Sequence, residues 1–184
     1  PERHIARTTQ QQAIRLFRIR SNVYDSLNLH QQAMSRIALL GTGLLGSALG
    51  QRLMHQGVDA AVWNRRPERC ESLLDGGAKE ITQLAGAAQS CEAIITVLRD
   101  GPVTQQVVAE LGDLKGRCVI PMGTMGVTEI RNLDQQIRNQ NGLCLEAPVL
   151  GSKPQALNGS LLVMAGGEAQ VFEEQQSLLS HLSQ

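Results

Sequence analysis

The stretch GTGLLG, residues 41–46, sets three glycines at G-x-G-x-x-G spacing between an apolar run, IALL, and a segment with apolar residues at helical spacing. The chemistry such a loop offers lies in its backbone. In a strand–turn–helix context Gly41 allows the tight turn, Gly43 lets the chain approach a ligand, and Gly46 lets helix and strand pack closely. The helix start then presents unpaired N–H groups and the positive end of a dipole, which suits a diphosphate. A turn that binds nothing is the competing reading, because glycine collects in loops.

The residues at the end of the next apolar run, VDAAVWN, narrow the choice. Dinucleotides without a 2′-phosphate are held there by an Asp or Glu that accepts from the ribose hydroxyls. This chain has Asn64, followed by Arg65 and Arg66. A neutral amide does not repel a phosphate, and a guanidinium clamps one with two charge-assisted hydrogen bonds. NADPH is therefore favoured over NADH. The alternative for each arginine is a solvated side chain paired with Glu68 or Glu71.

These residues need a scaffold, and the apolar pattern supplies one. Strands are expected at IALL, VDAAVWN, EAIITVL, RCVIPMG, GLCLEAPVL and SLLVMAGG, and helices at LLGSALGQRLMHQG, PERCESLLDGG, ITQLAGAAQS, GPVTQQVVAELG, VTEIRNLDQQIRNQNG and EAQVFEEQQSLLSHLSQ. Pro67 suits a first helical turn, Asp100 and Gly101 a turn that starts the next helix, and Asn141 with Gly142 a helix stop. Alternation of this kind implies an α/β fold: a doubly wound, Rossmann-type, mostly parallel sheet covered on both faces.

Composition bounds the rest. The chain has 184 residues, and its 17 basic and 17 acidic side chains cancel, so no overall field draws it to nucleic acid or anionic lipid. Aromatic content of 2% leaves few platforms for stacking bases. Cys70, Cys91, Cys118 and Cys144 show no C-x-x-C and no histidine at ligand spacing, so no metal site is expected. They read as buried hydrophobes of a reducing compartment, and the cytoplasm is the expected location. No apolar run reaches the roughly 20 residues that span a bilayer. Residues 1–34, rich in Gln and Arg and lacking Gly, read as an extension outside the fold, with Met34 the natural start; a targeting leader is the alternative. Residues 35–184 are then the NADP-binding domain. His55 reads as a helix C-terminal cation rather than a catalytic group. No nucleophile elbow accompanies the histidines, so hydrolase chemistry has little support.

Taken in order, these motifs resemble the β-hydroxyacid dehydrogenases related to 3-hydroxyisobutyrate and 6-phosphogluconate dehydrogenase, and within them the NADPH-dependent glyoxylate and succinic semialdehyde reductases. GTGLLG is similar to the family's opening loop, with Leu45 where Met is usual, and VWNRRPERC to its NADP-type continuation. The resemblance thus implies a cofactor set of Gly41, Thr42, Gly43, Leu44, Leu45, Gly46, Asn64, Arg65 and Arg66. TVLRDGP resembles the segment that passes under the adenosine and the nicotinamide ribose, which implies roles for Val97, Leu98 and Arg99, and for Val103 just after it. MGTMGV resembles the loop whose hydroxyl, here Thr124, lies near the nicotinamide, with a simple helix cap the alternative.

EAPVLGSKPQALNGSLLVMAGG resembles the signature that anchors a substrate carboxylate. That implies a small carboxylate-bearing substrate at Leu150, Gly151 and Ser152. Leu150 stands where the family has Ser, which leaves backbone N–H groups and the Ser152 hydroxyl to do the holding. The family continues into an all-helical domain that carries a proton-donating lysine and builds the dimer interface. The sequence stops before that helix, so no catalytic residue is carried over, a homo-oligomer is expected only of a longer form, and the chain by itself is expected to be inactive. The reading is an NADPH-dependent reductase of a small aldehyde or 2-keto acid, present as its cofactor-binding domain. A non-catalytic dinucleotide module, an imine reductase and a 3-hydroxyisobutyrate dehydrogenase are the alternatives.

Overall fold

The computed structural model describes residues 36–183. The readings made for residues 1–34, including the start at Met34, lie outside them. Strand β1 (Arg36–Leu40) shows how the fold is built. Its side chains alternate, so Ile37 and Leu39 enter one core and Ala38 and Leu40 the other. A strand buried on both faces belongs at the centre of a covered parallel sheet.

The main sheet runs β3-β2-β1-β4-β5-β6-β9. It comprises β2 (Asp59–Trp63), β3 (Lys79–Glu80), β4 (Ala93–Thr96), β5 (Cys118–Pro121), β6 (Leu143–Glu146) and β9 (Gly166–Gly167) around β1. All the pairings are parallel except that of β9 on β6. Chain order reverses between β1 and β4, which opens the crevice beyond their carboxyl ends where doubly wound sheets take ligands. Helices α1 (Leu44–His55), α2 (Glu71–Leu74), α5 (Lys153–Asn158) and α6 (Ala169–Ser180) supply residues to one core, while α3 (Gly101–Glu110) and α4 (Val127–Asn139) supply the other. A separate antiparallel pair, β7 (Val149–Leu150) and β8 (Leu162–Val163), stands beside the sheet.

Several elements differ from the pattern reading. The expected helix over 81–90 winds only as a 3-10 turn at Ala87–Ser90, because Gly86 takes φ 79° and breaks the helical path. The expected helix after Pro67 divides into a 3-10 turn (Pro67–Cys70) and α2. The run 142–150 breaks after Glu146, where Pro148 cannot donate to a ladder, and the run 160–167 divides into β8 and β9. Between them lies α5, to which the pattern assigns no element. The edge strand β3 also escaped it: two charged residues make an edge, not a core strand. By contrast, Asp100 caps α3, accepting from the Val103 N–H at 2.9 Å, and α4 stops before Asn141, which takes φ 57°.

Candidate dinucleotide-binding site

The glycine loop closes the crevice from above β1. Gly41 takes φ 104°, and a Cβ there would collide with the carbonyl oxygen of Val97 on the adjoining loop. At Gly46 a Cβ would strike the Gly41 carbonyl oxygen, so the first turn of α1 packs directly on the loop that precedes it. Gly43 is different. A Cβ built there meets no atom within 4 Å, so the backbone at the helix start faces open space. No side chain caps α1 and no acid stands in its first turn, which leaves its early N–H groups without protein acceptors.

That open space is a cleft of about 460 Å³, within the range of about 300–1,000 Å³ usual for small-molecule sites. Of the residues singled out in the sequence, Gly41, Gly43, Leu44, Leu45, Gly46, Asn64, Arg65, Val97, Leu98, Arg99 and Val103 line it. Thr42 does not: it is 3% exposed, and its hydroxyl meets the Cys70 Sγ at 3.5 Å and accepts from the Asn64 amide at 3.1 Å. Asn64 therefore ties the glycine loop to the end of β2, and its carbonyl oxygen also accepts from the Arg66 N–H at 3.0 Å. Arg66 contributes that backbone bond while its side chain stays out of the lining.

Arg69 lines the cleft in its place. The turn that follows Pro67 brings Arg65 and Arg69, four residues apart, to the same opening. That spacing was visible in the sequence. Trp63, Gln106, Val107 and Glu110 also line the cleft and were not anticipated; the last three share with Val103 the i, i+3, i+4, i+7 face of α3. Among the described residues Arg65, Arg66 and Arg69 form no ion pair, so the alternative expected for Arg65 and Arg66, pairing with Glu68 or Glu71, is not realised. Arg99 is held otherwise, donating to the Asp100 carboxylate at 2.7 Å. The Val103 N–H, and after it Arg99, keep the Asp100 carboxyl below its usual range.

Thr124 lies in the exposed loop after β5, beyond the cleft lining. That loop abuts the β4 loop, for a Cβ on Gly123 would sit 3.1 Å from the Leu98 carbonyl oxygen. Thr124 is not the cap of α4. Gly126 holds that position, its N–H donating to Glu129 at 2.8 Å. The substrate-motif residues stand apart on β7 and the start of α5. Leu150 is 65% exposed, opposite Leu162 in the register. Gly151 takes φ 143°, and the N–H and hydroxyl of Ser152 both donate to the Gln155 side-chain oxygen. An incoming carboxylate has to displace Gln155 to use either donor. Burial pushes the Glu146 carboxyl at the end of β6 upward. The cysteines are buried and free, and desolvation raises the Cys91 thiol to about 11. Among the described residues no helix is long and apolar enough to cross a membrane.

Comparison with known proteins agrees with this geometry. Residues 36–184 match the family model for the NAD binding domain of 6-phosphogluconate dehydrogenase. Glyoxylate/succinic semialdehyde reductase 1 of Arabidopsis thaliana is 30% identical over 143 residues, covering 75% of this chain and 50% of the relative. The cytokine-like nuclear factor N-PAC of Danio rerio is 31% identical over 144 residues, covering 76% and 31% respectively. The chain thus spans half or less of the length of these relatives. In fold, 3-hydroxyisobutyrate dehydrogenase of Mycobacterium tuberculosis superposes with a TM-score of 0.76 at 23% identity, over 82% of this chain and 52% of the other. A glycine loop opening on a lined crevice at the reversal of strand order, matched over residues 36–184, makes this chain a member of the β-hydroxyacid dehydrogenase family, an oxidoreductase family, through its NAD(P)-binding domain.

Proposed function

We propose that the chain binds NADPH and serves as the cofactor-binding part of a reductase acting on a small aldehyde or 2-keto acid, of which glyoxylate and succinic semialdehyde are the suggested type. The observation that carries the choice of cofactor is the pair of guanidiniums, Arg65 and Arg69, lining the cleft without ion pairs. Two unneutralised cations at the end of β2, where an acidic residue would serve NADH, suit a 2′-phosphate. The open side of Gly43 and the uncapped start of α1 suit the diphosphate. Val97, Leu98 and Val103 offer the adenosine an apolar wall, and Thr124 a free hydroxyl toward the nicotinamide side.

When bound, the nicotinamide supplies a hydride to the substrate carbonyl carbon. The residues of this chain hold and orient it. Leu150, Gly151 and Ser152 are the proposed carboxylate anchor, with the Gly151 N–H the donor that Gln155 leaves unused. Lys79, Lys115 and Lys153 do not line the cleft, so none is assigned the proton transfer. A second reading, a dinucleotide module without turnover, draws on the relative whose name is that of a nuclear factor.

Titration calorimetry with NADPH and NADH tests the assignment. Arg65→Ala is expected to weaken NADPH by roughly tenfold or more, the worth of a charge-assisted contact of about 1.5–3 kcal/mol, and to change NADH little. Equal losses for the two cofactors contradict the assignment.

A further inference from the structure

The geometry points to Glu110, with Gln106 beside it, as the group that selects adenine from other purines by accepting a hydrogen bond from its exocyclic amino group. This rests on the proposed dinucleotide site and adds to it the identity of the base. Val103, Gln106, Val107 and Glu110 occupy one face of α3, and all four line the cleft. They fall at i, i+3, i+4 and i+7, a stripe about 10 Å long.

The stripe is graded across its width. Val107 is buried at 6% exposure and Val103 is half-buried, whereas Gln106 and Glu110 are exposed at the rim. A flat heterocycle laid on the valines therefore turns an edge toward the two polar side chains. Among the described residues neither Gln106 nor Glu110 makes a side-chain hydrogen bond, and Glu110 forms no ion pair, although Arg65 and Arg69 line the same cleft. Both remain available to a ligand.

Their chemistry differs in a way that decides specificity. An ionised carboxylate only accepts, while a carboxamide can turn to donate or accept. Adenine presents an amino group at C6, a donor. On the edge that carries N7, hypoxanthine and guanine present an oxo group in its place with no N–H beside it, so a carboxylate meeting that edge faces only lone pairs. Gln106 tolerates either by reorienting, so discrimination falls to Glu110.

The test measures binding of NADPH and of its hypoxanthine analogue, nicotinamide hypoxanthine dinucleotide phosphate, to the full 184-residue chain and to its Glu110→Gln variant by quenching of intrinsic and nicotinamide fluorescence. The wild type is expected to prefer NADPH by about five- to tenfold, the order of one charge-assisted hydrogen bond at an exposed rim. Glu110→Gln should bring the two within about twofold. The ratio is internally controlled, since misfolding weakens both ligands together. Equal binding by the wild type, or an unchanged ratio in the variant, overturns the role of Glu110 and leaves the site standing. Failure of the wild type to bind either compound removes the site and this inference with it.

Discussion

At the scale of single residues, the glycine loop is held by contacts with no room for a side chain. A Cβ on Gly46 would overlap the Gly41 carbonyl oxygen, a backbone atom that cannot swing aside. Gly46→Ala is therefore expected to cost about 1–3 kcal/mol, the usual scale of overpacking, seen as a lower urea midpoint, and to weaken NADPH by shifting the first turn of α1. A variant with unchanged stability and affinity would show that the loop is looser than its contacts imply. Gly41, Gly43 and Gly46 were each legible in the sequence, since their spacing between an apolar strand and a helical pattern named the turn, the open approach and the close packing. Thr42 was less so. Its place in the motif suggested a ligand contact, but burial against Cys70 and Asn64 gives it an internal role. Arg66 was singled out and Arg69 was not, because which guanidinium faces the cleft depends on how the chain turns after Pro67.

At the scale of elements, helix α3 lines the crevice with Val103, Gln106, Val107 and Glu110. Asp100 starts it by accepting from the Val103 N–H, and Thr104 donates its hydroxyl to the Asp100 carbonyl oxygen at 2.8 Å. Asp100→Ala should fray that end, lowering the urea midpoint and increasing hydrogen exchange at Val103 and Thr104, whereas Asp100→Asn should retain most of the cap. Exchange unchanged in the alanine variant would contradict the capping role. The long elements β1, α1, β4, α3 and α4 followed from periodicity. The short ones did not: a left-handed Gly86 ended one expected helix, and α5 depended on Ser152, Pro154 and Gly159 at its ends rather than on any apolar stripe. Likewise, α3 was legible as a helix but its cleft-facing stripe was not, because Gln106 and Glu110 look like ordinary solvated positions until the crevice is placed against them.

At the scale of the whole molecule, the last described residues clasp the first crossover. Arg52 of α1 donates to the His181 carbonyl oxygen at 2.8 Å, and the Leu161 N–H to that of Leu182 at 3.1 Å. Burial, and then the Arg52 charge, lower the His181 pKa. The folded chain thus holds fewer protons than the unfolded one as pH falls. Stability is full above the ordinary histidine range, declines as pH drops through about 6.5, and stops declining on this account below the folded value. The urea midpoint should fall between about pH 7.5 and pH 5.5, and His181→Gln should flatten that slope; an identical slope in the variant would assign it to other groups. The account as a whole rests on a dinucleotide seated in the crevice, and backbone amide resonances during titration with NADPH report that seat most directly. The largest shifts are predicted at residues 43–46, 65–69 and 97–103. Saturating NADPH that leaves those amides unmoved, or moves only amides distant from the crevice, would contradict it.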